Sequence, residues 1–180
     1  MDVISKEKYL KLYKMLDVSP IEGDCGKLCN EVCCKVKNSD FGIYLLPNED
    51  SIFTGKEEWL IWEKHSTEDY DFPPSWQGEV FFIRCQGFCP RDKRPLQCRT
   101  FPLAPHIDEM GKLHVIWETL ELPYKCPLIE NNIELNPLFI ERVFSVWKEL
   151  IKNSLIKDLV IWDSKQRTID GTNIVSLKSD

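Results

Sequence analysis

The sequence lacks the features that mark several large classes of protein. Its 23 Lys and Arg residues are outnumbered by 29 Asp and Glu residues, for a net charge of −6. Because binding to nucleic acid needs a basic face that releases counterions, we expect no nucleic-acid partner. No apolar run approaches the ~20 residues of a membrane helix, so we also expect no membrane association.

Residues 1–16 hold neither an unbroken apolar segment nor a small-residue cleavage site, so they do not predict a signal peptide. We therefore expect a cytoplasmic protein. Disulfides persist in oxidising compartments, and a cytoplasmic chain with clustered cysteines more often binds metal or performs redox chemistry.

The motifs of zinc fingers and of nucleotide-binding loops are also missing. The chain contains no Cys-x2-Cys pair, and His65, His106 and His114 do not form a His-x3–5-His unit. Its eight glycines form no Gly-x-Gly loop of the kind that cradles a nucleotide-like cofactor. No acid–base pair stands out either, so no catalytic residue is predicted and the question of enzymatic activity stays open.

The most informative feature present is a set of eight cysteines. Four of them fall within ten residues, in the stretch CGKLCNEVCC, and the full set is Cys25, Cys29, Cys33, Cys34, Cys85, Cys89, Cys98 and Cys126. This density is below that of secreted disulfide scaffolds. We predict that all eight are metal ligands, since zinc and iron–sulfur clusters each take four thiolates. The alternatives are disulfides and inert buried thiols.

Spacing constrains how the first cysteines can share a metal. In a straight helix that rises ~1.5 Å per residue, Cys25 and Cys33 would lie about 12 Å apart along the axis. Zinc–sulfur bonds of ~2.3 Å hold thiolates only about 4 Å apart. The segment is therefore expected to bend, as Gly26 permits, or to divide its thiols between sites.

The adjacent cysteines Cys33 and Cys34 raise the same question. Neighbouring side chains diverge in helices and in strands, which favours one thiol in the first group and the other in the second. The alternative is that Cys34 is a small buried hydrophobic residue.

Cys85, Cys89 and Cys98 lie in a basic stretch, residues 84–102. The stretch contains one acidic residue, Asp92, and five basic residues, which are Arg84, Arg91, Lys93, Arg94 and Arg99. Such cations would offset the negative charge of a thiolate site. The alternatives are a solvated basic loop and, for Arg91, Lys93 and Arg94, an acidic protein partner. The Cys89-Pro90 and Cys126-Pro127 steps are typical of ferredoxin-type sequences, so a [4Fe–4S] cluster is favoured over Zn²⁺.

Periodicity and turn residues predict a single α+β domain over residues 1–180, with a loop-rich cysteine core at 24–128 and a C-terminal helical segment at 136–163. Helices are predicted at 5–16 and at 155–162, and the longest helix is predicted to begin at N-cap Asn136. Strands are predicted at 41–46, 79–84 and 113–117, with 100–108 extended, either at a sheet edge or outside a sheet. Residues 56–65 are compatible with a helix, but their apolar run leaves the period ambiguous. The tail from Ser164 is predicted to be loose.

The cysteine segments together resemble the YkgJ-type cysteine-cluster family, which is described as a zinc- or iron-chelating domain. The match to its second motif consists of Arg94, Pro95, Cys98, Arg99, Phe101 and Pro102, and Cys126 corresponds to its last cysteine. In this chain three residues, rather than two, separate Cys29 from Cys33. The resemblance covers residues 24–128 and implies chelation of zinc or iron by the eight cysteines.

The resulting hypothesis is a metal-binding protein that holds an iron–sulfur cluster or zinc and acts in electron transfer or as an accessory factor. One alternative is a zinc-stabilised protein-interaction module. The other is an enzyme related to lysine methyltransferases, because the resemblance extends distantly to flagellin lysine-N-methylases.

Overall fold

The first helix fixes the N-terminal part of the core. In the computed structural model, which describes residues 3–36, 41–87 and 89–180, α1 spans Lys6–Met15. Ser5 begins it, and its Oγ accepts a hydrogen bond from the Lys8 backbone N at 3.2 Å. The predicted apolar face is confirmed, since Tyr9, Leu12 and Tyr13 are buried.

The C-terminal helices are α5, Pro137–Leu150, and α6, Ser154–Ile169. As predicted, Asn136 caps α5: its side chain accepts from the Leu138 backbone N at 3.0 Å. The predicted bounds of α6 are too short, and α6 rather than α5 is the longest helix described.

The prediction of a loose tail from Ser164 is wrong. Ser164 is buried within α6, where its Oγ accepts from the Ile107 backbone N at 2.9 Å. Beyond the helix, Ser176–Ser179 forms strand β6. The polar composition of this segment reflects the solvent-facing sides of two ordered elements.

The strands form two separate antiparallel sheets of three strands each. Sheet A has the order β1-β3-β2, with bounds Ile43–Tyr44, Glu79–Cys85 and Leu60–Ser66. Sheet B has the order β4-β5-β6, with bounds Leu103–Ile107, Leu113–Trp117 and Ser176–Ser179.

The two edge strands of sheet A, β1 and β2, differ from the sequence-based prediction. Residues 56–65, whose sequence is compatible with a helix, instead contribute β2, in which Leu60 pairs with Cys85 and Trp62 with Ile83. An aromatic-rich run has high strand propensity, and pairing with β3 decides its conformation. The predicted strand at 79–84 is confirmed, whereas the one predicted at 41–46 shortens to the two residues of β1.

Sheet B follows the prediction more closely. Strand β5 has the predicted bounds, and β4 lies at the sheet edge, where Pro105 is tolerated. The prediction that the extended segment begins at residue 100 is wrong, because Thr100 is the last residue of a short helix, α3, at Leu96–Thr100.

Two hydrophobic cores result, and the cysteines lie beside both. The main core joins α1, α5 and α6 to sheet B, around Tyr9, Val115, Phe139, Val143 and Leu150. A smaller core beneath sheet A contains Leu45, Leu60 and Ile83. Cys25 and Cys126 pack against the main core and Cys85 against the smaller one. The domain is α+β, as predicted.

None of the helices in the described residues combines the length and the apolar character needed to cross a membrane.

Candidate metal centre

The first cysteine segment bends sharply between two short helical turns. Helix α2 covers Gly26–Cys29, and a 3-10 turn covers Val32–Cys34. Between them, Asn30 and Glu31 both adopt left-handed backbone conformations, with φ of 54° and 57°. This pair breaks the straight helix that would have held Cys25 and Cys33 far apart.

The sequence suggested that Gly26 permits the bend, but the bend lies at Asn30 and Glu31. Gly26 is inside α2, and its backbone N donates to Asp24 Oδ1 at 3.0 Å. A Cβ atom at Gly26 would lie 2.9 Å from Glu31 Cγ. The glycine instead leaves room for the Glu31 side chain to fold back over α2.

Three thiols form a compact cluster, here called the Cys34 group. The Sγ atoms of Cys34, Cys85 and Cys89 all lie within 4.8 Å of one another. Cys34 comes from the 3-10 turn and Cys85 from the last position of β3, while Cys89 follows a turn at Gly87, where φ is 87°. The spacing is close to the ~4 Å between thiolates on one zinc ion.

Cys33 approaches this group from the neighbouring position. Its Sγ lies 3.9 Å from Cys34 Sγ, so the two adjacent thiols do not diverge as expected. Cys33 is exposed and adjoins the Cys34 group through this one contact, but it is not among the three thiols that lie within 4.8 Å of one another.

A second set of thiols lines a partly open cavity of about 60 Å³, here called the thiol cavity. Its cysteines are Cys25, Cys29, Cys33, Cys98 and Cys126. Cys98 is presented by α3, and Cys126 caps a short helix, α4, at Pro127–Glu130. Cys33 and Cys98 also line a neighbouring cavity with Cys34 and Cys85, so both lie between the two sets.

The cysteines of the thiol cavity are spaced more widely than those of the Cys34 group. Over residues 3–36, 41–87 and 89–180, no other three His, Cys, Asp or Glu ligand atoms come together within 4.8 Å. All eight cysteines are free thiols in the structure. The structure thus gathers the predicted residues into one compact and one open arrangement.

Hydrogen bonds among the thiols set the electrostatics of the Cys34 group. Donation from Cys34 and then from Cys89 lowers the pKa of Cys85 to about 4. The hydrogen bond from Cys33 lowers the pKa of Cys34, and the pKa of Cys89 is raised because its proton is shared with Cys34 and Cys85. In the thiol cavity, burial raises the pKa values of Cys25, Cys98 and Cys126.

Arg94 is a basic residue whose charge interacts with cysteines of both thiol sets. It lines the thiol cavity, and burial acts to lower its pKa. Charge on Cys34 and Cys89 outweighs burial and raises the pKa of Arg94 overall. Its Nε is buried and has no hydrogen-bond partner among the described residues.

Of the other basic residues, Arg91 and Arg99 also line the thiol cavity, whereas Arg84 pairs with Glu63 of β2. Arg84 Nε donates to Glu63 Oε1 at 3.0 Å. Arg99 lies 4.3 Å from the ring centroid of Tyr13 and donates to the Arg94 carbonyl at 2.7 Å. An acidic protein partner for this basic stretch remains a prediction.

Sequence reasoning missed one residue that positions the site. Glu49 is fully buried, and its carboxylate accepts from Tyr13 Oη at 2.6 Å and from the Leu96 backbone N at 2.7 Å. It also accepts from the Leu46 backbone N at 3.0 Å. Burial raises the pKa of Glu49. Because Leu96 is the first residue of α3, Glu49 anchors the helix that carries Cys98.

No family model matches the chain, and it has no match among the curated proteins or the solved structures. The resemblance to the YkgJ-type family therefore stays a prediction, supported by the motif residues alone.

Proposed function

We propose that this chain is a metal-binding protein whose cysteine thiolates hold zinc or an iron–sulfur cluster. The observation that carries the proposal is the Cys34 group, in which three thiols from separate parts of the chain converge within 4.8 Å. Sequence neighbours alone would not produce this cluster, because residues 34 and 85 are far apart along the chain.

The donor set supports a thiophilic metal. Thiolate ligands select zinc, copper(I) and iron–sulfur clusters over hard cations such as Mg²⁺. With Cys33 as the fourth ligand, the site would have the all-cysteine, four-thiolate composition of a closed structural zinc site. The short sulfur–sulfur distances favour a single ion, since thiolates on a cubane bind different iron atoms and lie further apart.

The identity of the bound metal would distinguish a structural role from a redox role. Zinc has no redox chemistry, so zinc alone would make the chain a metal-stabilised interaction module. An iron–sulfur cluster would support electron transfer or an accessory role in a redox system. Membership of the YkgJ-type family is part of the proposal; the methyltransferase alternative has no structural observation in its favour.

Cobalt titration of the metal-free protein tests this proposal, because Co²⁺ bound to thiolates absorbs strongly through sulfur-to-metal charge transfer. We expect wild type to develop these bands, and Cys85→Ser to bind one fewer ion per chain or to bind it at least about tenfold more weakly. Val80→Thr is the matched control, since it makes a similarly small change on the same strand without removing a thiol.

Circular dichroism confirms that each variant is folded before the titration is interpreted. Wild-type protein that gives no thiolate–cobalt band would contradict the proposal. So would a folded Cys85→Ser variant whose titration matches wild type.

A further inference from the structure

A cavity between sheet A and the start of α6 lies apart from the cysteine site. It is partly open, has a volume of about 180 Å³, and is here called the Trp76 cavity. None of the cysteines lines it. An apolar cavity of ~150 Å³ is large enough to bind benzene. The Trp76 cavity therefore has room for one small ring or a short alkyl chain.

The walls of this cavity are mainly apolar and come from separate parts of the chain. Leu46 follows β1, Phe81 belongs to β3, and Leu155 lies in the first turn of α6. Trp76 is buried, its indole Nε1 donates to the Leu155 carbonyl at 2.8 Å, and its ring stacks on Phe72 at a centroid distance of 5.3 Å. These contacts fix the indole in place, so a ligand meets a wall that is already formed.

The charged side chains that line the Trp76 cavity are both acidic. They are Asp50, in the 3-10 turn that precedes β2, and Glu79, the first residue of β3. Glu79 is exposed and pairs with Lys64 at 2.9 Å. The Asp50 carboxylate has neither a hydrogen-bond nor an ion-pair partner among the residues that the structure describes. Asp50 thus leaves an uncompensated negative charge beside apolar walls.

This combination of apolar walls and one unpaired carboxylate selects a particular class of ligand. The apolar part of a ligand gains free energy when the walls remove it from water. A cationic nitrogen is attracted by aromatic rings and can donate a charge-assisted hydrogen bond to the Asp50 carboxylate. A neutral molecule of the same shape would gain only from burial, and an anion would be repelled.

We propose that the Trp76 cavity binds a small organic ammonium ion, with its apolar part against Trp76 and Phe81 and its charged nitrogen at Asp50. The inference does not depend on the proposed function, because it involves no cysteine. Its failure would therefore leave the metal site intact, and loss of the metal site would not by itself argue against it.

A titration with benzylammonium, followed by two-dimensional NMR of the protein as isolated, tests this proposal. The indole N–H signal of Trp76 reports from the cavity wall, and its absence from the spectrum of Trp76→Phe assigns it. We expect benzylammonium to shift this signal until the site is saturated. Benzyl alcohol and benzoate, which have the same ring with a neutral and an anionic group, should bind at least about tenfold more weakly.

Asp50→Asn tests the role of the carboxylate. Because the variant keeps the shape of the side chain but loses its charge, we expect its affinity for benzylammonium to fall about tenfold. Asp69→Asn is the matched control: it removes the same charge at an exposed position that does not line the cavity, and its affinity should equal that of wild type.

Each alternative outcome contradicts the proposal. A Trp76 signal that does not respond to benzylammonium would show that the cavity is not a binding site for such cations. Benzyl alcohol that binds as tightly as benzylammonium would show an apolar cavity without charge recognition and would overturn the proposal too. So would a folded Asp50→Asn variant with wild-type affinity. If Asp50→Asn does not fold, the comparison of the three probes on wild type decides alone.

Discussion

At the scale of single residues, Glu49 links the N-terminal helix to the cysteine site. Its carboxylate accepts from Tyr13 in α1 and from the backbone at the start of α3. Such a fully buried carboxylate is favourable only when its oxygens are paired with donors. The contact therefore fixes the position of Cys98 relative to the main core.

We expect Glu49→Gln to destabilise the fold by about 1–3 kcal/mol, because the amide nitrogen would face donors where the carboxylate accepted hydrogen bonds. Urea unfolding of the metal-free protein measures this change in free energy. Glu22→Gln is the matched control at an exposed position and should unfold as wild type does. Equal stability of the two variants would show that Glu49 does not anchor α3.

The identities of the candidate ligands could be predicted from the sequence, but their grouping could not. Cysteine density and spacing are visible in the sequence, whereas the division depends on the left-handed conformations of Asn30 and Glu31. Neither residue type by itself predicts such a conformation, although Asn is enriched in it. No periodicity or motif in the sequence around Glu49 indicated that its side chain is buried.

At the scale of elements, strand β3 delivers Cys85 to the Cys34 group, and Gly42 lies directly against this strand. A Cβ atom at Gly42 would lie 2.5 Å from the Ile83 carbonyl oxygen and 2.5 Å from Phe82 Cζ. The chain next to β1 can therefore approach β3 this closely only with glycine at this position.

Gly42→Ala is expected to displace the chain from β3, at a cost of about 1–3 kcal/mol, and to weaken metal binding at the Cys34 group. Cobalt titration combined with thermal unfolding checks both effects. Gly55→Ala is the control, because no atom lies within 4 Å of its Cβ, although its φ of 71° makes the substitution strained. It should lower stability without changing cobalt affinity; loss of cobalt affinity equal to that of Gly42→Ala would contradict this account.

Elements with a clear local signal were predicted correctly, and those decided by pairing were not. Helix α5 has a proline and a capping Asn at its start, and β5 is a short apolar run between turns. Strand β6 is polar and forms because it pairs with β5. Helices α3 and α4 are too short to show a helical period.

At the scale of the whole molecule, the cysteines lie where the two hydrophobic cores meet. Cys25 and Cys126 pack against the main core, and Cys85 packs against the smaller core of sheet A. A metal bound by Cys34, Cys85 and Cys89 would link the end of β3 in sheet A, which has few buried apolar residues of its own, to the 3-10 turn at Val32–Cys34. Binding energy at such a site contributes directly to stability.

Removal of metal by a strong chelator is accordingly expected to destabilise sheet A first. A ligand present at a thousand times its Kd stabilises the folded state by ~4 kcal/mol, so its loss should lower Tm substantially. Hydrogen exchange should show faster exchange for amides of β2 and β3, while those of α5 stay protected. Uniform loss of protection across both cores would contradict the link between metal and sheet A.

The most direct test of the central claim is the metal content of the protein after anaerobic isolation, measured together with the number of thiols that react with a thiol-specific reagent. The account predicts bound zinc, iron or both, with thiols of the Cys34 group protected until a chelator is added. A folded, metal-free protein in which all eight cysteines react at once would contradict it.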